Sequence, residues 1–183
     1  MLNWIIKFIT AAVLSHAFFL WVGPHIVMSK LDKDLKRAQT EYRPECGERW
    51  VEGVIYSNPD CLSDVASSRK PNPDFIYTLI PYDLNKGNLL VSAPVPSDDR
   101  YWSIHAHNRN TDAFYKITNT EIDGDRFKFL VTRDRNLRSD LSVAYASSNK
   151  GLILFRLTMK NFKEYSILDE FRRSTNRKYV ENL

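Results

Sequence analysis

Apolar residues crowd the chain almost without interruption from Trp4 to Met28, and beyond that point they alternate with polar ones. The run IIKFITAAVLSHAFFLWVGPHIVM carries one formal charge, Lys7. At a rise of ~1.5 Å per residue, a helix of this length crosses a hydrocarbon core of ~30 Å. Aromatic and aliphatic residues lie all round it, which suits lipid better than one-sided packing against a core. A cleaved export signal has a shorter apolar centre of ~7–15 residues and a small-x-small exit. This run is longer and leaves through His25-Ile-Val-Met-Ser29, so it reads as an uncleaved anchor. Pro24 is expected to kink or end the embedded part. His16 is expected to pack against the helix surroundings, and His25 to lie at the interface.

Helical spacing continues past the anchor, with Leu31, Leu35 and Ala38 on one face, and predicts a stalk. The pattern then breaks around Pro44, Pro59, Pro71 and Pro73, with Trp50 to Tyr56 as a short strand or turn. From Phe75 the period becomes two. Phe75 to Leu84 and Leu89 to Ala93 are predicted partner strands around the turn Asn85-Lys-Gly-Asn88. Tyr101 to Asn108 sets Trp102, Ile104 and Ala106 on one face and Tyr101, Ser103, His105 and His107 on the other. Phe114 to Thr120 and Arg126 to Thr132 flank Asp123-Gly124, a hairpin signal. Leu141 to Ala146 is a further strand, and Gly151 to Met159 is apolar enough for a sheet centre. Asn161 to Tyr179 reads as an amphipathic helix with Phe162, Tyr165, Ile167, Leu168 and Phe171 on its apolar side.

The expected fold is mainly β: an antiparallel β-sandwich-like domain with an N-terminal transmembrane helix and a C-terminal amphipathic helix. The divisions are an anchor (1–28), a helical stalk (29–40), a loop-rich connector holding Cys46 and Cys61 (41–73), and the sandwich (74–183).

Charge changes this picture little. There are 26 basic and 22 acidic residues, and much of the excess flanks the anchor or lies near the C-terminus. That suits anionic headgroups, whereas no aromatic and basic RNA motif argues for nucleic acid. The side of the membrane is contested. Lys30, Lys33, Lys36 and Arg37 beside the anchor favour a cytoplasmic domain. Cys46 and Cys61, the only cysteines, suit one disulfide in an oxidising compartment, worth ~3 kcal/mol for such a loop. Two unrelated free thiols are the alternative.

Three stretches carry a family resemblance. Asn72-Pro-Asp-Phe-Ile-Tyr77, Leu90-Val-Ser-Ala-Pro-Val-Pro96, and Arg100-Tyr-Trp-Ser-Ile104 followed by Thr111-Asp-Ala-Phe114 resemble, in order and spacing, segments of the DUF1254 family. The likeness spans roughly residues 70 to 160 and is nearest a short, membrane-anchored branch. It implies a β-sandwich, export to the bacterial periplasm, and a DUF1214-type protein or larger membrane complex as partner. The family's activity is not established. Longer members tend to carry an Asp where this chain has Asn108, and apolar or amide residues where it has His105 and His107. A role inferred for that Asp therefore does not transfer.

Two constellations hold candidate chemistry. His105-x-His107 places two imidazoles on one strand face, which suits a first-row metal if Cys46, Cys61, Asp74 or Asp112 completes the set. The plainer reading is two half-exposed rings on a polar face, and no metal is assigned. Tyr77, Tyr101, His105, Arg109 and Asp112, if they converge, would line a polar pocket for a sugar or an anionic group. His105 could then act as acid or base. Yet no nucleophile stands with a base and an orienting acid. No glycine loop suits a phosphate-bearing cofactor either, so none is expected. The reading is a single-pass protein of the bacterial inner membrane whose β-domain, in the periplasm, binds or assembles. An exported enzyme or ligand-binding protein is the alternative, with metal handling behind it.

Overall fold

The computed structural model describes residues 2–40, 49–51, 54–57, 72, 74–122 and 124–180. Helix α1 runs from Leu2 to Thr40. Its apolar window is unburied by the rest of the protein, and Trp4, Phe8, Phe19 and Trp21 all stand exposed. By length and composition the helix can cross a membrane, as a span or as a signal sequence. Pro24 lies within it and does not end it. The same helix continues through residues 29–40.

The remainder is two sheets around one core. The six-stranded sheet has the order β1 (Arg49–Val51), β2 (Val54–Ser57), β3 (Phe75–Asp83), β9 (Lys150–Thr158), β5 (Trp102–Asn108), β6 (Ala113–Thr118). The four-stranded sheet has the order β10 (Asn176–Val180), β4 (Asn88–Pro94), β7 (Arg126–Thr132), β8 (Ser142–Tyr145). Pairing is antiparallel except between β7 and β8. The mainly β, sandwich-like fold with helices at both ends is thus as expected, and β9 does hold the centre of its sheet. The short strands β1 and β2, inside the stretch read as a connector, belong to that same sheet.

Alternation explains the core. Ile76, Ile80, Trp102, Ile104, Ala106, Ile153, Phe155 and Leu157 face inward from one sheet. Leu89, Val91, Ala93, Phe127, Phe129 and Val131 meet them from the other. Each large side chain so buried contributes ~1.5–3 kcal/mol. Trp102 stands edge-on to Phe155, with ring centroids 6.3 Å apart.

Three expectations need correction. The turn after β3 is real: Asp83 caps a 3-10 turn at Leu84–Lys86, and Gly87 takes φ 117°. But β4 does not pair with β3. It crosses to the other sheet, because both edges of β3 are already taken by β2 and β9. Likewise β6 and β7 do not form a hairpin around Gly124 (φ 114°), since β6 pairs with β5 and β7 with β4. A turn residue reverses the chain without choosing the neighbour it bonds. Finally, the predicted helix over Asn161 to Tyr179 is shorter. Helix α2 is Tyr165–Arg172, and Asn176–Val180 is strand β10, whose backbone completes the free edge of β4.

Candidate functional site

Of the predicted residues, the outer face of the six-stranded sheet carries Tyr77, His105 and His107 in register. Tyr77 on β3, Arg156 on β9 and Ser103 on β5 form one row. Leu79, Leu154 and His105 form the next, and Pro81, Leu152 and His107 the third. Arg156, which sequence reading did not single out, is the hub of the polar end. Its Nε donates to Ser103 Oγ at 3.2 Å, and its guanidinium lies 5.9 Å from the Phe75 ring centre. Phase alone places Arg156 on this face, but only the register sets it between Tyr77 and Ser103.

His105 and His107 do lie side by side, with ring centres 6.1 Å apart. One nitrogen of each ring is already engaged. His105 Nε2 is 3.3 Å from Arg156 Nη2, and guanidinium only donates, so Nε2 is the acceptor and carries no proton there. Burial, then the charges of Arg156, His107 and Lys116, hold the His105 pKa below its ordinary value of 6.5. His107 Nδ1 is 3.1 Å from the Thr111 carbonyl and donates to it. A metal bridging both rings through Nε2 would have to displace a cation. Among the described residues no three His, Cys, Asp or Glu side chains gather as a ligand set. Cys46 and Cys61 lie outside the described residues, and so does their pairing.

The other candidates are dispersed. Tyr101 packs edge-on against Phe75 at 6.2 Å and is exposed. Tyr77 lies near Phe75, at 6.3 Å, and its carbonyl accepts from Arg172 of α2. Asp112 belongs to the β5–β6 loop, where its carboxylate accepts from Asn110 Nδ2 at 2.5 Å. Arg109, in that same loop, turns away toward α1 and donates to Ser29 Oγ at 3.2 Å. Thr111, at φ 73°, bends the loop, and its amide bonds the Asn108 carbonyl at 3.0 Å.

Arg109 borders a cavity of about 380 Å³ where the end of the apolar helix meets the sheet. Met28 and Leu31 of α1 pack on a patch of Ile55, Leu79, Leu152 and Leu154 on the outer face. Beside this contact the wall turns polar. Lys86, Arg109, Lys150 and Arg177 line it together with Asp32 and Asp83. Lys150 Nζ stands 3.3 Å from Asp83 Oδ2, and Tyr179 Oη accepts from the Asp83 amide at 2.8 Å. Lysine contact and the Asn85 amide outweigh desolvation and lower the Asp83 pKa, although desolvation is the largest single influence and acts upward. Arg177 donates to the Pro81 carbonyl. Of the sequence candidates only Arg109 borders this cavity. The rest of its wall comes from distant segments, and no spacing in the chain announces it.

Comparison with known proteins gives a family and a fold. The family described as protein of unknown function (DUF1254) matches residues 58–177. The VPA0106 protein from Vibrio parahaemolyticus, solved by crystallography, is similar with TM-score 0.55 at 13% identity. The alignment covers 88% of this chain and 38% of that one, so this chain spans less than two fifths of its length. An uncharacterized protein from Burkholderia cenocepacia aligns at TM-score 0.40 and 16% identity, over 48% of this chain and 27% of its own. No curated protein matches.

Proposed function

The chain belongs to the DUF1254 family, and from that premise we propose that it is a membrane-anchored envelope protein whose β-sandwich acts as a binding or assembly module. The observation that carries this is the continuity of α1. Its exposed apolar length runs without a break into Met28 and Leu31, which pack on the sheet. A helix that merely addressed the chain for export would need no such contact with the domain. In this reading the helix is a single-pass anchor in the bacterial inner membrane and the sandwich sits in the periplasm. The cluster of Phe75, Tyr77, Tyr101 and Arg156 offers aromatic and cationic surface to a protein partner, a DUF1214-type protein or a larger membrane complex.

A second reading, a ligand-binding protein acting on an envelope component, is favoured by the cavity beside Arg109. Its volume lies near the lower end of ligand pockets, ~300–1,000 Å³.

Alkaline extraction of membranes from cells making the full chain tests the anchor. The chain is expected to stay in the pellet at its full mass; release, or loss of the helix by cleavage, overturns it. Alkylation of the same membranes without reductant tests the compartment. Blocked Cys46 and Cys61 support the periplasm, and two freely alkylated thiols overturn that assignment.

A further inference from the structure

We propose that the cavity between α1 and the six-stranded sheet holds the phosphate of an anionic phospholipid headgroup. The proposal rests on the anchored reading, because it needs Met28 to Asp32 of α1 to stand at the membrane surface.

The cavity has two kinds of wall, arranged as a lipid requires. One is apolar: Met28 and Leu31 on the helix, with Pro81 and Leu152 on the sheet. The other is cationic. Lys86 comes from the turn after β3, Arg109 from the β5–β6 loop, Lys150 from the start of β9 and Arg177 from β10. Four basic side chains face two acidic ones, and Lys150 already offsets Asp83. The local balance is therefore positive, and basic pockets at the membrane boundary select phosphate-bearing headgroups. Arg109 adds planar donors that suit two phosphate oxygens.

Position points to lipid as the source of that phosphate. The helix residues that line the cavity lie at the very end of the candidate membrane span, Asn3–Lys33. Just before them, Ile26 and Val27 are exposed and continue the apolar surface along the helix. A headgroup seated among the cations can thus leave its acyl chains along α1. A volume of about 380 Å³ suits a headgroup and not a whole lipid.

The test uses the full chain purified in mild detergent and native mass spectrometry with added phosphatidylglycerol or phosphatidylcholine. Phosphatidylglycerol is expected to be retained in preference to phosphatidylcholine. Lys86→Ala and Arg109→Ala should each weaken retention about fivefold, the effect of one surface cation on an anionic membrane. Lys163→Ala, which alters a base outside the cavity, should leave retention unchanged. Lys86 is exposed in a turn, so its variant keeps the test open if Arg109→Ala disturbs the loop. Equal retention of the two lipids, or loss-free retention in both cavity variants, overturns the proposal. Displacement of the lipid by soluble glycerol phosphate at equal concentration overturns the lipid source and points to a free phosphate ester. A chain that stays in alkali-washed membranes but retains no phosphatidylglycerol fails this inference alone. A chain that washes out fails the anchored reading beneath it.

Discussion

The Tyr82 hydroxyl donates to the His107 carbonyl at 3.2 Å, passing across β9 where Gly151 has no side chain. A Cβ on Gly151 would fall on both the phenol and that carbonyl. The glycine is required here by close approach. Tyr82 is 4% exposed, so its ring has nowhere to retreat. Gly151→Ala is expected to cost about 1–3 kcal/mol by overpacking, whereas Tyr82→Phe, which keeps the ring, loses about 1 kcal/mol. Urea midpoints followed by tryptophan fluorescence decide it; an unshifted midpoint in Gly151→Ala would refute the contact.

The same phenol sets an alkaline limit. Burial pushes the Tyr82 pKa up from 10.0 to about 12. Between those values the folded state keeps a proton that the unfolded state has lost, so stability must fall as pH rises through that window. Thermal melts from pH 9 to 12 should show a decline that is shallower in Tyr82→Phe.

Asn108, which stands where longer family members tend to carry Asp, has a structural duty. Its Oδ1 accepts from the Ser147 amide at 3.0 Å and from the Ser148 amide and hydroxyl, both at 3.2 Å. It is 3% exposed. Removing this acceptor leaves two backbone donors unpaired, at about 1–3 kcal/mol. Asn108→Ala should therefore speed hydrogen exchange at Ser147 and Ser148. Asn108→Asp, which still accepts, should protect them; equal exchange in both variants would show that the oxygen is dispensable.

Arg172 of α2 is fully buried and holds Asp169 at 2.6 Å while donating to the Tyr77 carbonyl. Desolvation lowers its pKa below the ordinary arginine value, but the neighbouring carboxylate works against that. Arg173 also grips Asp169, at 2.6 Å, so losing Arg172 does not strand the carboxylate entirely. Arg172→Leu is expected to cost about 3 kcal/mol, the low end for breaking a buried pair. An unchanged denaturation midpoint would mean that α2 is not held to β3 by this residue.

His105 should titrate below 6.5, because burial and then the Arg156 cation disfavour its imidazolium. The unfolded chain binds that proton first as pH falls through 6.5, so its contribution to stability is present above this value and lost below it. NMR titration of the ring protons reads the pKa directly. Arg156→Gln should move it upward, and a value unmoved in that variant would contradict the 3.3 Å contact.

The chain's local periodicities are readable without its fold. Continuous apolarity from Trp4 to Met28 specifies α1, and strict alternation from Tyr101 to Asn108 specifies which face of β5 is buried. Both are properties of neighbours a few residues apart. The strand period does not say which strand lies alongside, so Leu89 to Ala93 pairs with β7 and β10 instead of β3. The C-terminal stretch carries a helical stripe, yet Asn176–Val180 becomes a strand because β4 offers a backbone edge to complete. For the site, His105 and His107 were visible as a pair on one face, but Arg156 between them and Tyr77 depends on register. Lys86, Arg109, Lys150 and Arg177 converge only when both sheets and α1 close on one another. Sequence determined the long apolar helix and the faces of the strands, since those follow from short-range spacing. The tertiary structure decided the strand neighbours and the charged cavity, since those depend on groups far apart in the chain competing for the same edges and space.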